Sequence, residues 1–261
     1  MQRITIGVLA AVLVISTMTG AGMPKTDKQE KLVAIVIDDF GNRMSGTEEM
    51  LKLPIPLTMA IMPFMPTTKQ DAEAAFQRGH DVIVHLPMEP NKGKREWLGP
   101  GAITTDLSDE EIRKRVEAAI DDVPHAVGMN NHMGSKATAD VRIMRVVLGV
   151  CKERGLFFLD SRTTYRTVVP QVAAELGVPL LSNSVFLDDV STLTHITRQL
   201  GKLSDELESN AVCIAIGHVG TPGKKTAAAI EQSIPKLQSK ARFAHATELL
   251  PSAARNDQIL P

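Results

Sequence analysis

The sequence predicts an α/β fold in which a largely parallel sheet is covered by crossover helices. Two observations carry this expectation. From Lys31 onward, short apolar runs alternate with longer segments of helical period, the signature of repeated strand–helix units. Several of the short runs are apolar at every position, as strands covered on both faces must be. Composition agrees: 43% of the 261 residues are hydrophobic, enough for one barrel-sized core, and no glycine period or low-complexity tract marks a collagen-like or disordered chain.

Eight segments are candidate strands: 32–37, 57–61, 81–84, 126–129, 156–159, 179–181, 211–216 and 241–246. Their connections carry helix punctuation. Thr67 or Thr68 can cap a helix that ends at Gly79, and Ser108-Asp109-Glu110-Glu111 has the form of a capping box before Ile112, Val116, Ala119, Ile120 and Val123. Met144, Leu148 and Cys151 lie on a helix closed by Gly155, Pro170 can open another that closes at Gly177, and Leu193, Ile196, Leu200, Leu203 and Leu207 share one helical face. No internal repeat or linker divides residues 31–250, which are expected to form one domain, with 251–261 a C-terminal tail.

Residues 1–30 read as an export signal and polar leader. Arg3 precedes an apolar run over residues 4–18, and Thr19-Gly20-Ala21 supplies small residues for cleavage. The run is short of the ~20 apolar residues that a membrane-crossing helix needs, so an exported protein, periplasmic or extracellular, without a stable membrane span is expected. A balance of 29 basic to 30 acidic side chains offers no field to gather nucleic acid, and no nucleic-acid partner is expected. Cys151 and Cys213 lie in apolar runs and read as buried thiols. Aromatic residues make up 3% of the chain, so an extended stacking platform for a long glycan is not expected.

The informative residues are polar ones that follow the candidate strands. Asp38-Asp39 follows the first, His85 the third, Asn130-Asn131-His132 the fourth, Asp160 the fifth and His218 the seventh. In a parallel sheet all these ends share one rim, so residues distant in sequence converge. Two histidines and a carboxylate are a minimal ligand set for Zn²⁺ or a similar divalent ion, with positions left open for water and substrate. Water on such an ion loses its proton near neutral pH, and the ion polarises a carbonyl oxygen. With Asp39 on the metal, Asp38 is free to take the water proton and His218 to donate one to a leaving group.

The segments Ile37-Asp38-Asp39-Phe40-Gly41, His85-Leu86-Pro87-Met88-Glu89-Pro90, Asn130-Asn131-His132-Met133-Gly134-Ser135, Leu159-Asp160-Ser161-Arg162 and Ile216-Gly217-His218-Val219-Gly220 resemble the divergent polysaccharide deacetylases, a branch of the NodB-like carbohydrate esterases. The resemblance implies a distorted (β/α) barrel of seven or eight largely parallel strands and a carbohydrate or amino-sugar substrate. It implies Asp38 as base, Asp39 as metal ligand and His218 as acid. Ordinary members place two metal-binding histidines four residues apart after the third strand. Here Glu89 occupies the second position, so either Glu89 ligates or His132 completes the set, and His132 is favoured. The Arg-x-Pro motif usual after the fourth strand is absent. Asp160 is expected to orient the base or the substrate, or to cap its own loop. Trp97, in a polar loop over 91–105, reads as an anchor that packs on the barrel, with an indole facing a sugar as the alternative. The expected activity is therefore metal-dependent removal of an acyl group from a glycan; a non-catalytic envelope protein that binds glycan or protein with the same pocket is the alternative.

Overall fold

Side-chain alternation along the first strand decides the layering. In β1 (Leu32–Phe40), Val33, Ile35 and Ile37 pack outward among the helices, whereas Ala34 and Val36 join a second apolar cluster with Ala60, Ile83, Phe157, Leu159, Ile214 and Ile216. Successive strand residues point to opposite faces, so one cluster is the helix–sheet layer and the other the barrel interior. The computed structural model describes residues 30–251; the segment read as an export signal and nearly all of the segment read as a C-terminal tail lie outside them.

The remaining strands are β2 (Thr58–Ile61), β3 (Asp81–Met88), β4 (Ala126–Met133), β5 (Phe157–Asp160), β6 (Leu180–Ser182), β7 (Val185–Phe186), β8 (Val212–His218) and β9 (Arg242–Phe243). Every pairing is parallel, in the order β6-β5-β4-β3-β2-β1-β8-β7, with β9 on the start of β1. The sheet curls. The segment 180–186 bonds first to β5 and then, through Ser184 N–H donating to Ile214 O at 2.8 Å and the β7 pairing, to β8. One stretch of chain thus bridges the two edges, and the architecture is the distorted (β/α) barrel that the sequence predicts.

Helices α1 (Thr47–Leu51), α2 (Thr68–Gln77), α3 (Asp109–Asp122), α4 (Val141–Glu153), α5 (Val169–Leu176), α6 (Leu193–Ser209) and α7 (Gly223–Gln238) cover the outside. Ser108 caps α3 by accepting from the Glu111 N–H at 3.2 Å, but Glu111 turns to Arg115 instead of closing the box. Gly177 ends α5 in the left-handed conformation, at φ 72°. Helix α7 was not anticipated, although Ala227, Ile230, Ile234 and Leu237 form its buried stripe. Both cysteines are buried and free. Among the described residues no helix is long and apolar enough to cross a membrane.

The interior is tightly matched at Gly128 on β4. A Cβ there would lie 2.5 Å from the Phe157 ring, which is wholly buried. Gly128→Ala should therefore destabilise the fold by about 1–3 kcal/mol in urea unfolding, and adding Phe157→Leu should recover part of the loss.

Candidate active site

Strands β1, β3, β4 and β8 run further than expected, to Phe40, Met88, Met133 and His218, so most of the polar residues stand on strands rather than loops. They also keep phase with the interior. Asp38 lies two residues beyond Val36, His85 two beyond Ile83, His218 two beyond Ile216, and Asn130 and His132 two and four beyond Gly128. The mouth of the barrel is therefore lined by these side chains. The curl is tight enough for Asn130 Nδ2 on β4 to donate to Asp38 Oδ1 on β1 at 2.9 Å, although β2 and β3 lie between those strands.

Asp39 is out of phase and reaches the site by a local distortion. The β1–β2 register slips between Ile37 and Phe40, and Asp39 takes φ 71°, a left-handed conformation that costs a non-glycine residue of order 1–3 kcal/mol. Asp71 braces the turn that follows: Gly41 N–H and Thr67 Oγ1–H donate to its Oδ2 at 2.8 and 3.0 Å. Gly41 cannot be replaced cheaply, because at φ 113° a Cβ would come within 2.9 Å of Met62 O. Asp71 is a supporting residue that sequence reasoning did not find.

Asp39 Oδ1 lies 3.3 Å from His85 Nε2 and 3.0 Å from His132 Nδ1, and the two nitrogens are 3.1 Å apart. Each ring has an acceptor behind it. His85 Nδ1 is 2.7 Å from Asn130 Oδ1, whose amide is oriented by the donation to Asp38, and His132 Nε2 is 3.1 Å from Trp97 O. The outward nitrogens therefore carry the hydrogens, and the two inward nitrogens present lone pairs to the carboxylate. Asp39 Oδ1 is buried and makes no hydrogen bond of acceptable geometry. Three acceptor atoms within 4.8 Å of one another fit a cation. Ligands at ~2.0–2.1 Å from a tetrahedral ion are themselves ~3.3 Å apart, close to these separations. Without a metal, protons fill the gap. Burial opposes a charge on His85, but Asp38 and Asp39 outweigh it and hold the ring above the ordinary histidine range. Burial would raise Asp39, yet the His132 and His85 rings beside it leave it well below the usual carboxylate value.

Asp38 is buried, and that burial raises its pKa despite nearby His85 and His218. Its Oδ1 is held by Asn130. On the opposite flank, His218 is paired with Asp38 across the β1–β8 ladder. Its Nδ1 lies 2.7 Å from Asp188 Oδ1, while its backbone N–H and Thr226 Oγ1–H donate to Asp188 Oδ2 at 2.9 and 2.7 Å. Burial disfavours the imidazolium, but Asp188, Asp38 and Asp39 outweigh it and push the His218 pKa up to about 9. Asp188 thus fixes the orientation of His218. It lies two residues beyond Phe186 on the interior phase, the signal that could have marked it.

Two residues with open alternatives resolve towards their own loops. Glu89 is not part of the cluster: its Oε2 accepts from Thr105 N–H and Oγ1–H, each at 2.7 Å, and its Oε1 pairs with Lys136 at 2.7 Å. Asp160 is not brought to the base. Its Oδ1 accepts from Arg162 N–H at 2.8 Å and its Oδ2 from Thr167 Oγ1–H at 2.9 Å, so its carboxylate shapes its own loop. It follows the outward phase of Phe158, which packs among the helices. The Trp97 indole is 60% exposed and is not a buried anchor, although its carbonyl orients His132.

A family described as divergent polysaccharide deacetylase matches residues 35–250. The chain belongs to this family. The chain is 34% identical to the uncharacterized protein YibQ of Escherichia coli K12 over 218 residues, 84% of this chain and 67% of that protein. Its fold is similar to that of an uncharacterized protein from Agrobacterium tumefaciens C58, with a TM-score of 0.79 at 20% identity over 87% and 92% of the two chains. A chitin deacetylase from the fungus Colletotrichum lindemuthianum gives a TM-score of 0.51 at 14% identity over 85% and 88%. At these identities the two structures share the fold.

In the metal-free protein, His218 should titrate at about 9 by imidazole NMR. Asp188→Asn should return it towards the ordinary 6.5. Because folding raises this pKa, protonated His218 contributes stability in full below about pH 6.5, and the contribution is lost as pH rises through about 9. Unfolding free energies measured from pH 6 to 10 should show that loss in the wild type and a flatter profile in the variant.

Proposed function

We infer that this deacetylase relative is an exported, metal-dependent hydrolase that removes an acetyl or similar acyl group from an amino sugar or glycan. One observation carries the reading: three lone-pair atoms of Asp39, His85 and His132 face one another between a buried carboxylate and a carboxylate-bound histidine. The fold shared with a chitin deacetylase supports a glycan as the substrate class, and the apolar run at residues 4–18 supports export.

Asp39 Oδ1, His85 Nε2 and His132 Nδ1 would hold the cation, and this two-nitrogen, one-oxygen donor set suits zinc among the divalent metals. Such an ion, when bound, lowers the pKa of water and polarises an acyl oxygen. Asp38 is the general base. Asn130 occupies its Oδ1, which leaves Oδ2 to take a proton from water, and burial makes that carboxylate a stronger base. The water oxygen bonds to the acyl carbon. As the carbon–nitrogen bond breaks, His218 Nε2 delivers a proton to the departing nitrogen, while Asp188 fixes Nδ1 and stabilises the imidazolium beforehand. Water and amide become carboxylic acid and amine; Asp38 has gained one proton and His218 has lost one, and exchange with solvent resets both.

The metal reading is checked by calorimetry. The protein should take up one divalent ion per chain, with affinity that rises between pH 6 and pH 8 as the ion displaces the proton held by His85. Asp39→Ala and His132→Ala should abolish stoichiometric uptake, whereas Glu89→Gln should keep it; unchanged stoichiometry in the first two variants would refute the ligand set.

The acid–base reading is checked by turnover on acetylated amino sugars. Asp38→Asn should retain the metal and lose ~10²–10⁴ in kcat, the usual scale of general-base catalysis. An undiminished rate would remove Asp38 from that role.

A further inference from the structure

The chain has one tryptophan and one tyrosine, and the fold leaves both rings in solvent. Trp97, between β3 and α3, is 60% exposed, and Tyr165, between β5 and α5, is 89% exposed. Both connections leave the strand ends that bear the site. Large rings are ordinarily used in cores or contact surfaces, so leaving the single member of each type uncovered at one rim calls for a partner.

The two loops are tied to the site and to each other through the end of β4. His132 Nε2 donates to Trp97 O at 3.1 Å, so the tryptophan backbone orients a proposed metal ligand. Asn131, the neighbour of His132, accepts at its Oδ1 from Ser161 N–H at 3.0 Å and donates from Nδ2 to Thr163 Oγ1 at 3.5 Å. Asn91 N–H donates to Ser135 Oγ at 2.9 Å. The loops after β3, β4 and β5 therefore form one continuous flank of the mouth.

That flank carries positive charge although the chain as a whole has a net charge of -1. Residues 91–105 include Lys92, Lys94 and Arg95 against Glu96, and residues 161–168 include Arg162 and Arg166 with no acidic residue. Lys92, Lys94, Arg162 and Arg166 are exposed, and none has an ion-pair partner among the described residues. Two are associated with the rings: Lys94 Nζ is 6.0 Å from the Trp97 centroid, and the Arg166 guanidinium is 5.4 Å from that of Tyr165 and donates from Nε to its hydroxyl at 3.1 Å. Glu89 is paired with Lys136, and Asp160, beside Arg162, is taken up by Arg162 N–H and Thr167 Oγ1–H. An aromatic face beside an unpaired cation suits a sugar ring that bears an oxyanion: the ring covers apolar C–H surface, and the guanidinium or ammonium meets a carboxylate or phosphate.

We propose that the loops bearing Trp97 and Tyr165 form a subsite selective for an anionic glycan, one in which a sugar next to the acylated amino sugar carries a carboxylate or phosphate. The subsite deepens the hydrolase reading and rests on it for the position of the acyl group.

The lone tryptophan makes the test direct, because emission from the native chain reports on Trp97 alone. Full-length, zinc-loaded protein is titrated with an N-acetylglucosamine tetramer and with same-length oligomers whose alternate sugars carry an ether-linked carboxylate or a phosphate. The anionic oligomers should bind about tenfold more tightly at low salt, with the preference shrinking as salt rises. The double variant Arg162→Gln/Arg166→Gln should at least halve that preference while the Tm stays as in the wild type. Trp97→Ala, followed by calorimetry, should weaken all three oligomers. Equal binding of neutral and anionic oligomers by the wild type, or a preference undiminished in the double variant, overturns the proposal; the carboxylate and phosphate arms identify the oxyanion. Acyl release is assayed in parallel. Anion-selective binding without release overturns the hydrolase reading and supports the subsite, whereas release without charge preference supports the hydrolase and overturns the subsite.

Discussion

Two imidazole nitrogens and a carboxylate oxygen at about 3 Å from one another repel unless protons or a cation lie between them. The rest of the mouth is arranged to keep them there. Asn130 occupies the far side of His85, the Trp97 carbonyl the far side of His132, and a left-handed residue with a register slip turns Asp39 inward. Removing an acceptor behind either ring would let it flip and donate to Asp39, turning a cation site into an ordinary hydrogen bond. Asn130 carries the heaviest demand, because the same amide also fixes Asp38.

The barrel supplies the curvature that this arrangement requires. Ala34, Ala60 and Gly128 keep the lower interior narrow enough for the Phe157 ring to fill it, and further along the same phase the lining changes from apolar to polar and ionisable at Asp38, His85, Asn130 and His218. A flatter sheet would separate β1 from β4 by two intervening strands and leave Asp38 beyond the reach of Asn130. Packing at the bottom of the barrel and chemistry at its mouth are therefore two levels of one lining.

The flanks of the mouth differ in character. On the β8 side, Asp188 and Thr226 immobilise His218 in a closed set of hydrogen bonds anchored on α7. On the β3–β5 side, backbone and amide contacts lace three loops together but leave their aromatic and basic side chains in solvent. The first arrangement suits a group that must hold a proton at a fixed position. The second suits a surface that meets something large and polar.

Much of this was legible along the chain. Seven strand cores, five of the seven helices and the polar residues at the strand ends are local patterns, set by apolar periodicity, caps and glycine stops, and so they survive without a structure. Asp38, Asp39, His85, His132 and His218 stood out because charged and imidazole side chains are costly at the end of an apolar strand. What the sequence could not decide was direction. Glu89 and His132 were both open as the third ligand until the curl put His132 beside Asp39 and Lys136 claimed Glu89. Asp160, like Asp38, lies at a strand end, but strand phase sends it outward; Asp39 has the wrong phase, and a bulge sends it in. Asp71 and Asp188 gain their roles from backbone donors 30 residues away, at Gly41 and His218. The sequence by itself determined which chemical groups were present and at which end of the sheet, because periodicity is a local property. Only the tertiary structure decided which of them face one another, because facing depends on curvature, register and bulges that are set by packing across the whole barrel.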